Sequence, residues 1–377
     1  MSTIACVRRT NIGYWSCICQ WFAFFLLCFG PPLLASEAAE PIGETRHAFF
    51  GDLHSPVQPF VARLSANDDD RLLDFYALIL EADEQPGQWQ QLQEVAEAHY
   101  TPNRLTTFVS FEHQLRHPSG RYDRTVVFQN ARVADQPLVP RDSVTGDAAS
   151  IEDLWLWMDR LRARGIESLS ISEIQSVSQD SLAAEQSMRL RNEPLVAVGQ
   201  PAVGAGYSST VTGVWAEENT REAIYAALRR KETFATTGAR IALRMFAGFG
   251  FPKTLENYSR GLKAVTRRGV PMGGELHRGR GPLMIFAEAQ QDPGSASLIG
   301  LQVVKVWLNG VNRSEKVFDV THQSISQDGQ TIASLWSDPE FDALQPVFYY
   351  VRALAKPEKK QSVQNIAFSS PVWYSPN

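Results

Sequence analysis

The sequence predicts an α/β domain followed by a β-rich C-terminal domain built as an antiparallel sheet or sandwich. Three observations carry that reading. A strand, a capped helix and a second strand follow one another between Arg124 and Ile171, which gives this stretch βαβ character. From Arg240 onward short strands alternate with turn signals such as Gly273-Gly274, Asn309-Gly310 and Asp328-Gly329. Finally, Phe49-Phe-Gly-Asp-Leu-His-Ser-Pro56 reads as a buried strand ending in Asp-x-His. Alternate residues of a strand share a face, so Asp52 and His54 are expected to point the same way, as a metal-ligand pair at a sheet rim would.

Taken in order, the chain opens on Arg8 and Arg9, an apolar run from Trp21 to Phe29, and the small residues Ser36 and Ala38. This pattern predicts a signal peptide over residues 1–38, a periplasmic or secreted location, and no membrane span in the mature chain; the alternative is an uncleaved anchor over Tyr14 to Phe29. All four cysteines (Cys6, Cys17, Cys19 and Cys28) fall in this leader, so the mature chain is expected to carry no disulfide or thiolate chemistry. Residues 39–48 read as a linker, 49–239 as the α/β domain and 240–377 as the β-rich domain.

Within the α/β domain, Asn67-Asp-Asp-Asp70 suggests a helix start. Leu72 to Leu80 is apolar on every face and fits either a strand or a helix. Gln88 to Tyr100 has amphipathic helical spacing. Leu105 to Phe111 is β-branched and aromatic, a strand that delivers Glu112 at its end. Ser150 with Asp153 forms a capping box for a helix ended by Gly165. A second capped helix is expected to start at Asn219, with Glu222 three residues on. Beyond Arg240, the spacing predicts strands at Ile241–Phe246, Leu283–Ala289, Leu301–Leu308, Lys316–Val320, Ile332–Trp336 and Pro346–Leu354.

Composition bounds the function. The chain has 377 residues, 44% hydrophobic and 20% charged, with a formal net charge of -5, enough to bury a large core. The mature chain would keep 34 basic and 40 acidic residues, so nothing suggests a nucleic-acid partner. No G-x-S-x-G elbow is present, and Gly204-Ala-Gly206 lacks the third glycine of a nucleotide loop. His99, His117, His277 and His322 stand without partners at ligand spacing and read as exposed, as does His113. Trp155, Trp157 and Trp215 either line a cleft or fill the core.

Several stretches together resemble the exported bacterial family called domain-of-unknown-function family 3604, itself similar to the PHP (polymerase and histidinol phosphatase) metal-dependent hydrolases. They are Phe50-Gly-Asp-Leu-His54, Arg191 to Val196, the long run Thr212 to Ile241, Met272-Gly-Gly-Glu-Leu276, Trp336 to Phe341, Phe348-Tyr-Tyr-Val-Arg352 and Ser370-Pro-Val-Trp-Tyr374. The resemblance implies a PHP-like layered or irregular barrel for the first domain. It also implies a metal site, which this chain matches poorly. Pro56 stands where the family strand motif resembles a second histidine, and the Thr-Asp-His motif falls on Ile79-Leu80-Glu81. Glu112 is kept, Asp123 and Glu173 stand in histidine places, and the interval between Val196 and Thr212 holds no acid or histidine. Asp52, His54, Glu81, Glu112, Asp123 and Glu173 are thus the candidate site, either a remnant or a rebuilt set of carboxylates.

The expected function is that of an exported, degenerate PHP-like protein which binds or assists rather than hydrolyses, with no cofactor. The rival is a metal-dependent (phospho)ester hydrolase whose oxygen-rich site takes a hard ion, Mg²⁺, Mn²⁺ or Ca²⁺. A third class is a purely structural envelope protein.

Overall fold

A computed structural model describes residues 46–65, 73–80, 87–117, 120–138, 151–173, 195–196, 210–237, 239–252, 258–291, 297–309, 312–321, 330–356 and 365–376. All lie within one compact unit spanning 41–377. The predicted leader, the helix start at 67–70 and Glu81 fall outside the described residues, as does His322.

Strands β1 (His47–Pro56), β2 (Phe75–Ile79) and β3 (Thr106–His117) are parallel neighbours. All five residues of β2 are buried because the trio is covered on both faces. Tyr76 and Leu78 pack with helices α1 (Val57–Ser65), α2 (Gln88–Ala98) and α3 (Ile151–Ala163), through Phe60, Trp89, Leu92, Leu154 and Met158. Phe75 and Ala77 pack on the other side with Ile224, Tyr225 and Leu228 of α4 (Arg221–Arg230). Two-sided burial explains why this segment is apolar throughout.

The sheet then departs from the expected architecture. β4 (Gly120–Phe128) folds back antiparallel on β3, and β5 (Ser168–Glu173) is antiparallel to β4. The stretch 124–171 is therefore not a parallel βαβ unit: α3 joins two antiparallel neighbours. The two-residue link between β3 and β4 is far too short for a parallel crossover, which needs about a dozen residues or more. β6 (Leu195–Val196) ends this side. On the other side β7 (Thr210–Ala216) and β8 (Thr233–Thr237) continue antiparallel from β1.

Through β8 the same sheet enters the C-terminal half by way of β17 (Asn365–Ser369), β16 (Val347–Ala355), β18 (Val372–Ser375) and β11 (Glu275–His277). The strands β13 (Leu298–Asn309) and β14 (Asn312–Asp319) branch from β16. A second sheet of four strands runs β10 (Val270–Pro271), β9 (Ile241–Phe249), β12 (Leu283–Gln291) and β15 (Thr331–Ser337). Its inner face, including Leu243, Met245 and Ile285, packs on Val303, Tyr349 and Val351 of the main sheet. Helix α5 (Tyr258–Arg268) adds Val265 to the core on its outer side, beside Phe246 and Phe286.

The predicted PHP-like α/β layer or barrel is thus corrected. The described residues are mainly strands, with five helices, and the main sheet has fourteen strands, twelve of them in one path from β11 to β6 with β13 and β14 branching from it. Alternating strand and helix signals fix the elements but not the strand direction, and antiparallel pairing prevails on both sides of the parallel trio. The expected boundary at 239/240 falls between β8 of the main sheet and β9 of the second, while the main sheet draws strands from both halves. No described helix is long and apolar enough to cross a membrane.

Two glycines allow the centre of the main sheet to close. A side chain at Gly51 would place its Cβ 2.2 Å from the Phe75 ring, and one at Gly213 would lie 2.1 Å from Phe234. Helix α4 is capped by Thr220, whose Oγ1 accepts the Ala223 N–H at 3.3 Å, one residue later than expected. Asn219 instead donates its side-chain amide to the carbonyls of Asp74 and Arg104.

Candidate functional site

The candidate site begins at the C-terminal end of the parallel trio, where α/β sheets commonly present ligands. The β1–β2 register shifts between Asp52 and Ser55, which interrupts the two-residue alternation assumed from the sequence. Asp52 and His54 accordingly meet different neighbours. Oδ1 of Asp52 accepts the backbone N–H of His54 at 2.9 Å. Asp52 pairs across the ladder with Tyr76, and Arg63 of α1 lies within electrostatic reach of both residues.

The ring of His54 faces the middle of β3 and β4, since β3 runs on past Glu112, the expected strand end, to His117. Its Nδ1 is 3.5 Å from Oγ1 of Thr125 and its Nε2 is 3.7 Å from Oε2 of Glu112. Glu112 and Thr125 are register partners, so one cross-strand pair addresses both ring nitrogens. His54 and Asp52 are both buried. Burial pushes the Asp52 carboxyl up to about 6, and the His54 N–H and the Arg63 charge limit the rise.

The remaining candidates are placed only by backbone. Asp123 and Glu173 flank the paired residues Arg124 and Ser172 on adjacent strands, which brings their Cα positions into one region of the sheet. Their side chains, and Glu81 altogether, lie outside the described residues. Among the described residues no three or more of His, Cys, Asp and Glu gather so as to hold a metal ion. Among the described residues the donors, one imidazole facing a carboxylate and a second carboxylate turned to its own backbone, do not fit a metal cluster.

Sequence reasoning missed Thr125, Arg63 and the whole of α1. The signal for α1 was present in Pro59 and Phe60, since proline is tolerated in the first turn of a helix. His113 was expected at the surface but is 1% exposed, lying edge-on to Phe111 at 6.5 Å and opposite Arg124. Burial pulls the Arg124 guanidinium down to about 10, which still leaves it a cation at neutral pH. His99 is half-buried against Phe60, whereas His277 is exposed as expected. Trp155 and Trp157 pack against the core.

Several of the sequence's distinctive motifs hold the scaffold together. Arg221 donates to the Thr107 and Ala96 carbonyls at 2.7 and 3.1 Å and stacks 4.1 Å from the centre of the Tyr100 ring. Buried Lys305 and Tyr349 both donate to Oδ2 of Asp338 at 2.6 Å, joining the Trp336–Phe341 and Phe348–Arg352 motifs.

No curated protein matches the chain at a significant level. Among solved structures it is similar to a two-domain protein containing a predicted PHP-like metal-dependent phosphoesterase from Bacteroides vulgatus. That match is 11% identical with a TM-score of 0.32, covering 81% of this chain and 91% of the other. The model of the family described as protein of unknown function (DUF3604) matches residues 58–197, 173–333 and 323–376, and the chain belongs to that family.

Proposed function

We propose that this protein is an exported, degenerate member of its family that acts by binding and does not hydrolyse phosphoesters. The observation that carries the reading is the local use of Asp52. Its Oδ1 is engaged by the His54 N–H at 2.9 Å, and burial raises its carboxyl to about 6. A strand-end acid committed to its own backbone is a poor anchor for the clustered cations that would generate hydroxide and neutralise a leaving oxygen. Pro56, at the next alternate position, offers no donor. Export rests on the basic, apolar and small-residue pattern of residues 1–38.

The test is an assay of the purified mature chain on phosphomonoester and phosphodiester model substrates with added Mg²⁺ or Mn²⁺. No turnover above background is expected. Metal-dependent turnover that is lost in His54→Ala would overturn the proposal.

A further inference from the structure

At the opposite end of β1 from His54 lies a cleft of about 470 Å³, a volume suited to a small organic molecule. Arg46, Trp215, Arg240, Arg244, Glu288 and Gln290 line it. Arg46, Trp215 and Arg244 also line a smaller recess of about 40 Å³, together with Glu232.

The walls are held in place. Nε1 of Trp215 donates to the Leu243 carbonyl at 2.9 Å, and the Arg244 guanidinium lies 5.1 Å from the centre of the indole ring. Arg244 is paired with Glu288 at 2.7 Å, and Arg46 with Glu232 at 2.5 Å. Arg230 adds a second cation to Glu232 at 3.0 Å.

These pairs leave polar capacity unspent. Oε2 of Glu288, a side chain only 6% exposed, has no hydrogen-bond partner among the described residues, and neither does Nε of Arg46 or Arg244. Burying charge in this way is costly unless something repays it, and a purely structural pairing is expected to saturate its acceptors. Among the described residues that line the cleft, three cations, Arg46, Arg240 and Arg244, stand with one anion, Glu288; Glu232 pairs Arg46 from the smaller recess, and Asp74 lies within electrostatic reach of Arg240. Arginine's planar fork suits a carboxylate.

We propose that this cleft binds a small hydroxylated carboxylic acid of about the size of a sugar acid. The arginines receive the carboxylate, the Trp215 and Phe50 side takes the apolar face of the molecule, and Glu288 with Gln290 accepts hydrogen bonds from its hydroxyls. The site is separate from the His54 region, so it stands or falls independently of hydrolysis there.

The test is isothermal titration of the full mature chain with glucuronate and gluconate, with glucose as the neutral control. The two acids are expected to bind and glucose to bind at least about 10-fold more weakly, the worth of one charge-assisted contact. Arg244→Gln alone leaves Glu288 buried without its cation, so the double variant Arg244→Gln/Glu288→Gln is compared with it. The double variant is expected to keep the wild-type melting temperature and to lose acid binding by about 10- to 100-fold. Absence of binding by either acid, or binding unchanged in the folded double variant, would overturn the proposal.

Discussion

Oε2 of Glu112 lies 3.7 Å from Nε2 of His54, while Oγ1 of Thr125 lies 3.5 Å from the other ring nitrogen. The His54 imidazole therefore has a protein group beside each of its ring nitrogens. A histidine held as a metal ligand would instead turn one nitrogen to the ion and the other to a single orienting partner.

Glu112→Gln tests this arrangement. The separation is long for a hydrogen bond and Glu112 is only partly buried, so the substitution should cost less than about 1 kcal/mol in chemical unfolding. Added Mn²⁺ should leave the melting temperature of both wild type and variant unchanged. A Mn²⁺-dependent rise in the wild type that vanishes in the variant would mark Glu112 as a ligand.

Asp52 predicts a pH dependence of stability. Its carboxyl is raised from 3.8 to about 6 in the folded chain, so the folded state holds this proton over a wider range than the unfolded state. The resulting stability is present below about pH 4 and is lost as pH rises through about 6, by up to about 3 kcal/mol. Asp52→Asn keeps an acceptor for the His54 N–H and removes the titration. Urea unfolding should find the variant more stable than wild type at about pH 7.5, with the gap closing toward pH 4. A gap that does not change with pH would show that burial does not govern this group.

Arg221 predicts where the scaffold is most sensitive. It joins the end of α2 to β3 through two backbone carbonyls and stacks on Tyr100. Arg221→Leu should cost about 2–4 kcal/mol in equilibrium unfolding, because buried acceptors lose their charged donor. Arg221→Lys should recover little of it, since a point ammonium cannot reproduce the fork. Full rescue by lysine would reduce the residue's role to its charge.

Much of the fold was legible because side-chain period and turn chemistry are local. The strands expected at Leu105–Phe111, Leu283–Ala289 and Leu301–Leu308 lie where alternation and β-branching place them: the first starts one residue later, at Thr106, and all three run on a few residues further than expected. The ambiguous run at 72–80 resolved as β2 because helices cover both of its faces. Strand direction was not legible. A Pro118-Ser119 link makes β4 antiparallel, and the pattern of strand, helix and strand reads the same in either direction. At the site, the residue types were readable but their facing was not. The register shift between Asp52 and Ser55 depends on how β1 meets β2, and a period-two reading of one strand contains no such information. The Thr220 cap was missed for a similar reason: Asn219 is the better isolated cap, but its amide is drawn to two distant carbonyls.

The metal content of the purified mature protein, measured by elemental analysis without added chelator, tests the non-hydrolytic reading most directly. With Asp52 turned to its own backbone and His54 held between Glu112 and Thr125, the expected result is manganese, zinc, iron, magnesium and calcium all well below one equivalent per chain. A stoichiometric complement of divalent metal that is lost in His54→Ala would contradict it.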